Sequence, residues 1–241
     1  MNEFLLYLRE FNIVSVLLRL FLALLFGGLL GLERVSRHKA AGLRTYMLVC
    51  LGATLTMLLG QYQSYMLDTA WAGAVAQVGM RTDISRFSAQ VINGIGFLGA
   101  GTIIVTGHQA VKGLTTAAGL WASACMGLVI GAGFYECVLL GIILMFLCMR
   151  LLTPIETHLI EKSRNMNLYI EFESMEDVRT IAGRLREHGV HIYDIDLDRG
   201  KKEEERNPSA VFSLRLEQRQ SHTRIIAALF ELEHIKLIEE V

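Results

Sequence analysis

The chain has 241 residues and a net charge of −1, a balance that by itself points to no class of partner, and no nucleic-acid partner is expected. The distribution is informative: residues 1–149 hold 9 of the 23 Lys+Arg and 6 of the 24 Asp+Glu, leaving 14 and 18 for residues 150–241. An apolar part of net +3 followed by a charge-rich part of net −4 excludes a single water-soluble domain and marks one domain in lipid and one in water.

About 20 mostly apolar residues are needed to cross a bilayer. The first candidate span is Asn12–Leu32, interrupted only by Arg19. The residues before it, with Glu3, Arg9 and Glu10, have no basic n-region, so no cleavable signal is expected. Thr45–Leu67, Phe87–Val105 and Leu114–Phe134 follow, and Cys137–Met149 is a short fifth candidate that must borrow residues from its ends. The connection between the first two carries Arg34, Arg37, Lys39 and Arg44 against Glu33. Lys112 and Arg150 mark two further basic connections, while the second loop, with Asp68, Arg81, Asp83 and Arg86, is mixed. Basic loops stay cytoplasmic, which places the N-terminus outside and the C-terminal domain inside. The cysteines, Cys50, Cys125, Cys137 and Cys148, lie in apolar runs without a C-x-x-C pair, so neither zinc nor a disulfide framework is indicated.

Residues 150–166 are expected to form a linker helix, with the cytoplasmic domain over 167–241. Within it, Asn167–Glu173 is predicted as a strand, Met175–His188 as a helix and Val190–Asp198 as a strand with period-2 alternation. Gly200–Pro208, with its Lys201–Arg206 charge run, is a predicted loop. Val211–Glu217 (strand), Ser221–Glu233 (helix) and Ile235–Glu239 (strand) complete a βαββαβ order, the split-βαβ plan of α+β ferredoxin-like domains.

Polar and small residues within the apolar part carry the functional expectations. Gly94-Ile95-Gly96-Phe97-Leu98-Gly99 matches a dinucleotide-binding pattern. No Asp or Glu occurs from Phe87 through Tyr135, however, and the pattern needs a strand before it and an acidic residue about 20 positions on. Gly94, Gly96, Gly99 and Gly101 are instead expected at the centre of a packed bundle, with Gly96 and Ala100 at small-xxx-small spacing. Gly27-xxx-Gly31 and Gly127-xxx-Gly131 have the same spacing, and Trp121 is expected to pack within its span. Asp83, Arg86, Gln90 and Asn93 would form a polar seam on one face of the third helix if it begins early enough; the alternative is an exposed pair in the loop. Glu33 and Arg34 are either interfacial anchors or part of a buried polar cluster. Arg19 either snorkels or pairs inside the bundle. His188 and His191 read as surface histidines. Nothing resembles a nucleophile elbow, a Walker loop or an H-E-x-x-H helix, and no enzyme, cofactor or metal is expected.

Gly31-Leu32-Glu33-Arg34, Ala41-Gly42-Leu43-Arg44-Thr45 and Asp83-x-x-Arg86-x-x-Ala89-Gln90 precede the glycine stretch, and Gly113-Leu114-Thr115-Thr116-Ala117-Ala118 with Trp121 follows it. In this order they resemble the MgtC/SapB family of bacterial inner-membrane proteins over roughly residues 14–149. The resemblance implies a five-span domain linked to magnesium limitation and, in some members, to survival in host cells. It also implies a regulatory role through the F-type ATP synthase or a transporter, and a C-terminal ACT-like domain that binds a small ligand or forms a homodimer. The residues it singles out are the polar Glu33, Arg34, Arg44, Thr45, Asp83, Arg86, Gln90 and Thr116, and the packing residues Gly42, Gly94, Gly96, Gly99, Gly101 and Trp121. The second loop, Asp68 to Thr82, and Asn93 depart from the family pattern. The competing expectation is a transporter for Mg²⁺ or another cation. Against it stand the few carboxylates and the lack of an inverted repeat or broken-helix pair.

Overall fold

The computed structural model describes residues 2–78, 83–105, 111–161, 163–199, 207–217, 222–232 and 234–240. The chain divides into a helical unit, Met1–Ile104 with Val111–Leu151, and a second unit that is mainly Leu152–Val241.

The helical unit opens with α1 (Asn2–Arg9) and α2 (Ile13–Ser36). Asn12 caps α2 by accepting a hydrogen bond from the Ser15 amide at 2.8 Å. Next come α3 (Leu43–Asp68), α4 (Ala72–Val78) and α5 (Ile84–Ala100), then the short ladder β1 (Ile104–Val105) with β2 (Val111–Lys112). Finally α6 (Leu114–Ala132) is followed by α7 (Tyr135–Glu161). Among the described residues four helices are long and apolar enough to cross a membrane: α2, α3, α6 and the Tyr135–Glu156 part of α7. Their outward faces are apolar, while the buried faces mix apolar residues such as Phe26 and Leu30 with small and polar ones. On α2, Leu17, Phe21, Leu25 and Leu32 are exposed, while Ser15, Arg19, Gly27, Gly31, Glu33 and Arg34 are buried. Lipid solvates the apolar stripe, so association falls to small and polar residues.

Glycines fix the helix pairs. A Cβ at Gly27 would stand 2.7 Å from the Tyr46 carbonyl oxygen, and one at Gly31 would stand 2.5 Å from Leu43 Cα. α2 and α3 therefore run antiparallel in backbone contact. On α6, a Cβ at Gly127 would meet the Cys50 carbonyl and one at Gly131 would stand 2.7 Å from Met57 Cβ. α6 thus runs parallel to α3, and the Thr54 hydroxyl on α3 lies 2.8 Å from the Gly127 carbonyl. Gly99 of α5 meets Ala117, and Ser88 meets Met57, so α5 is antiparallel to both neighbours. Gly141 of α7 lies against Met126, so α7 folds back along α6. Helix direction alternates through α2, α3, α5, α6 and α7.

Several expectations are corrected here. The third candidate span, 87–105, is helical only over Ile84–Ala100, because a turn at Gly101–Thr102 leads into β1. α5 therefore covers about 26 Å, less than the roughly 30 Å hydrocarbon core. The fifth helix takes residues from both ends of the Cys137–Met149 run, as that short candidate required. It continues through Pro154 to Glu161 and absorbs most of the expected linker. Gly94 and Gly96 do not pack at the bundle centre. Among the described residues no atom outside their own helix backbone lies within 4 Å of a Cβ built on either, and Gly101 meets carbonyl oxygens of its own helix. Trp121 is half exposed instead of packed, since it sits opposite the α3-facing side of α6.

The second unit comprises β3 (Asn165–Phe172), α8 (Asp177–Glu187), β4 (Val190–Asp198), β5 (Ser209–Leu216), α9 (His222–Phe230) and β6 (Ile235–Glu240). The sheet order is β4-β5-β3-β6 with antiparallel neighbours throughout, which makes β3 and β4 parallel across β5. Leu168, Ile170 and Phe172 alternate inward on β3, as do Phe212, Leu214 and Leu216 on β5. They pack on Ile181 and Leu185 of α8 and Ile225 and Leu229 of α9. A register shift between Ile192 and Asp194 breaks the alternation expected for β4. The Lys201–Arg206 run and the end of the second loop, 79–82, lie outside the described residues.

Candidate functional site

Two buried polar centres lie about 22 Å apart along α2, one around Arg34 and one around Arg19. α2 ends at Ser36, His38 turns the chain at φ +53°, and Gly42 starts α3 with no room for a side chain beside Val35. This tight hairpin keeps Glu33 and Arg34 inside. The Arg34 guanidinium donates to the Thr116 hydroxyl at 2.6 Å, and the Tyr46 hydroxyl reaches the Thr116 carbonyl at 3.5 Å. Arg37 Nε stands 2.5 Å from a Glu33 oxygen, but off the alignment of a hydrogen bond. The Glu33 carboxylate and Arg34 Nε are thus buried without hydrogen-bond partners among the described residues.

Thr116 is delivered by the start of α6. Its N-cap, Gly113, has φ +101°, and a Cβ there would collide with the Thr102 carbonyl, so only glycine suits the position. Arg44 and Thr45, expected with this group, are exposed at the start of α3. The buried-cluster alternative for Glu33 and Arg34 is thus the one realised, without Arg44 and Thr45.

At the other centre Arg19 is 1% exposed and does not snorkel. Its guanidinium donates to Gln61 Oε1 at 2.7 Å, the Gly131 carbonyl at 2.8 Å and the Arg9 carbonyl at 3.0 Å. The Tyr135 hydroxyl donates in turn to the Leu8 carbonyl at 2.9 Å. Gly133, at φ +79°, leaves the space the guanidinium fills. Arg9 pairs with Glu136 at the surface. Five helices thus converge on one cation that has carbonyl and amide partners. Gln61 and Tyr135 were not anticipated, although Gln61 is a polar residue deep in an apolar span, which is itself a signal.

Asp83 is the N-cap of α5. It accepts from the Ser85 amide at 3.0 Å and the Ser85 hydroxyl at 2.5 Å, and lies 3.4 Å from Arg86. These hydrogen bonds from Ser85, then the Arg86 charge, hold its carboxyl below the usual range. The third helix does begin early enough to align Asp83, Arg86, Gln90 and Asn93, yet all four are exposed. Ser88, Val91, Ile95 and Gly99 face the bundle. The opposite face of α5 carries Arg86, Gln90, Asn93, Gly96, Phe97 and Ala100, and among the described residues nothing covers it. Gln and Asn are costly against lipid and bond well across helix pairs. Among the described residues no group of three His, Cys, Asp or Glu could hold a metal ion.

The sequence model of the MgtC family matches residues 20–158, a stretch that contains the Arg34 centre, the Gln61, Gly131 and Tyr135 partners of Arg19 but not Arg19 itself, and the whole of α5. The chain is 37% identical over 193 residues to "Putative magnesium transporter YhiD" of Escherichia coli, covering 75% of this chain and 86% of that protein. It is 30% identical over 207 residues to Protein MgtC of Brucella abortus, covering 82% and 79%. It is 34% identical over 122 residues to Protein SapB of Bacillus subtilis, covering 51% and 50%. No solved structure matches.

Proposed function

The chain belongs to the MgtC family, and from that premise we propose that it is a non-enzymatic regulator of the bacterial inner membrane. It supports adaptation to low magnesium by holding another membrane protein, such as the F-type ATP synthase or a transporter. The observation that carries this reading is the face of α5 that no described residue covers, where Gln90 and Asn93 stand beside Gly96 and Ala100 with open space above the glycine. Such a face suits a second transmembrane helix better than lipid. The name of the Escherichia coli relative supports the link to magnesium. Alternating helix direction supports five crossings, and the basic α2–α3 turn supports an outside N-terminus and a cytoplasmic second unit. The strand order of that unit, with both helices on one face, supports an ACT-like, ferredoxin-type domain able to pair with a second copy.

The test is site-specific photocrosslinking in cells grown at low Mg²⁺, with the probe at Asn93 or Phe97 on α5 and at Leu140 on α7 as control. A discrete adduct with an ATP synthase subunit or a transporter from the α5 positions alone is the expected result. The second reading, a Mg²⁺ transporter, is favoured by the relative's name. Saturable Mg²⁺ flux into proteoliposomes holding only this protein, abolished by Asp83→Ala, would replace the regulator with it.

A further inference from the structure

The second unit carries a charge pattern that the family match, which ends at residue 158, does not touch. On the sheet face opposite α8 and α9, strand register sets the side chains in rows. His191, Arg215 and Asn165 form one row, and Asp194, Ser213 and Asn167 the next. Asp196, Val211, Tyr169 and Glu239 follow, then Asp198, Ser209 and Glu171. Carboxylates thus occupy the later rows and are absent from the first.

Arg164, immediately before β3, adds a second guanidinium to the first row. A cavity of about 570 Å³ is lined by Ser163, Arg164, Asn165, Asn167, Tyr193 and Arg215, with Ser213 and Leu214, and among the described residues no carboxylate lines it. A neighbouring cavity of about 300 Å³ shares Arg164, Tyr193 and Arg215 and adds His191, with Glu217 its one acidic residue. The bulge in β4 brings Tyr193 there, and Arg215 donates to its phenol oxygen at 2.7 Å. A neutral phenol leaves the Arg215 charge uncompensated, and neither arginine has a carboxylate partner among the described residues.

The backbone beneath is fixed. The Leu216 amide donates to the Arg164 carbonyl at 2.8 Å. The buried His222 ring lies 3.0 Å from the Ser163 carbonyl and 2.6 Å from Glu240.

We propose that this end of the sheet is a binding site for a phosphate group, held by Arg164 and Arg215 with Tyr193 and the Ser163 hydroxyl as neutral donors. Guanidinium forks match phosphate oxygens in pairs, and hydroxyls and amides complete the shell around a tetrahedral anion. The cavity exceeds a bare phosphate and falls in the range of small-molecule sites. Only seven residues lie between Glu156, where the apolar part of α7 ends, and Arg164, so the group can come from a lipid headgroup or from a free organic phosphate. The proposal stands apart from the α5 reading and survives its failure.

The test uses the full chain in maltoside detergent, which contains no phosphate. Inorganic pyrophosphate is titrated by calorimetry, and retained phosphatidylglycerol is counted by native mass spectrometry. Arg164→Ala/Arg215→Ala is expected to weaken binding at least tenfold in one arm. Arg179→Ala, at an exposed position of α8, should leave it unchanged, and the double lysine variant should restore part of it. Loss confined to pyrophosphate assigns a free phosphate, and loss confined to phosphatidylglycerol a headgroup. Both arginines are exposed, so an unchanged circular dichroism spectrum is expected; were the alanine pair to misfold, Tyr193→Phe with weaker binding carries the test. Equal binding by the folded variants and the wild type, or no binding in either arm, overturns the proposal.

Discussion

The Arg34 guanidinium donates to the Thr116 hydroxyl at 2.6 Å across 82 positions of chain, tying the end of α2 to the first turn of α6. A hydrogen bond from a charged donor in a buried setting contributes about 1.5–3 kcal/mol. Arg34→Met and Thr116→Val should each lower the thermal midpoint of the detergent-solubilised protein. A double-mutant cycle should return a coupling of about 1–2 kcal/mol. A coupling near zero would show that the two residues act separately.

Arg19 serves five helices, and its replacement should be the most damaging of the single changes considered. Arg19→Met leaves the Gly131 and Arg9 carbonyls without this donor, at a cost of about 3 kcal/mol or more. Arg19→Lys keeps the charge but loses the planar fork, so it should recover only part of the stability. Hydrogen exchange would check the mechanism, since protection should fall first in α1, whose last carbonyls the guanidinium holds.

The glycines separate fold from function. Gly31→Ala drives a methyl into the Leu43 backbone and should disrupt the α2–α3 pair. Gly96→Ala meets open space and removes a helix-destabilising residue worth about 1 kcal/mol, so the isolated protein should unfold no earlier than wild type. If α5 holds a partner helix, the same variant should fail to support growth at low Mg²⁺. A fully active Gly96→Leu protein would remove α5 as the contact face.

Asp83 supplies a pH dependence. Its folded carboxyl titrates below its unfolded value, so the contribution is present above the ordinary aspartate range, near pH 4, and is lost as pH falls through the folded value. α5 should therefore fray at acid pH in the wild type. Asp83→Asn, which can still accept from Ser85, should flatten that acid branch. Limited proteolysis at the start of α5 across pH 3–6 would measure it.

The apolar runs, the basic α2–α3 turn and the βαββαβ order are all properties of local sequence, so they could be read without coordinates. Helix and strand positions in the second unit follow from period-2 and period-3.6 patterns alone. Even the Gly27-xxx-Gly31 and Gly127-xxx-Gly131 spacings located backbone contacts, because a missing Cβ on one helix face limits what can lie there. The same logic misplaced Gly94 and Gly96: spacing marks a face fit for close packing but not whether a partner in the same chain fills it. Which alternative applied to Arg19 and Glu33 was equally undetermined, since both depend on carbonyls and side chains tens of positions away. Sequence by itself determined a lipid-embedded helical part, a water-exposed α/β part and the family they belong to. Tertiary structure alone decided which polar groups are buried together and which face of α5 the described residues leave uncovered, because burial is set by what packs against a residue and not by its neighbours in the chain.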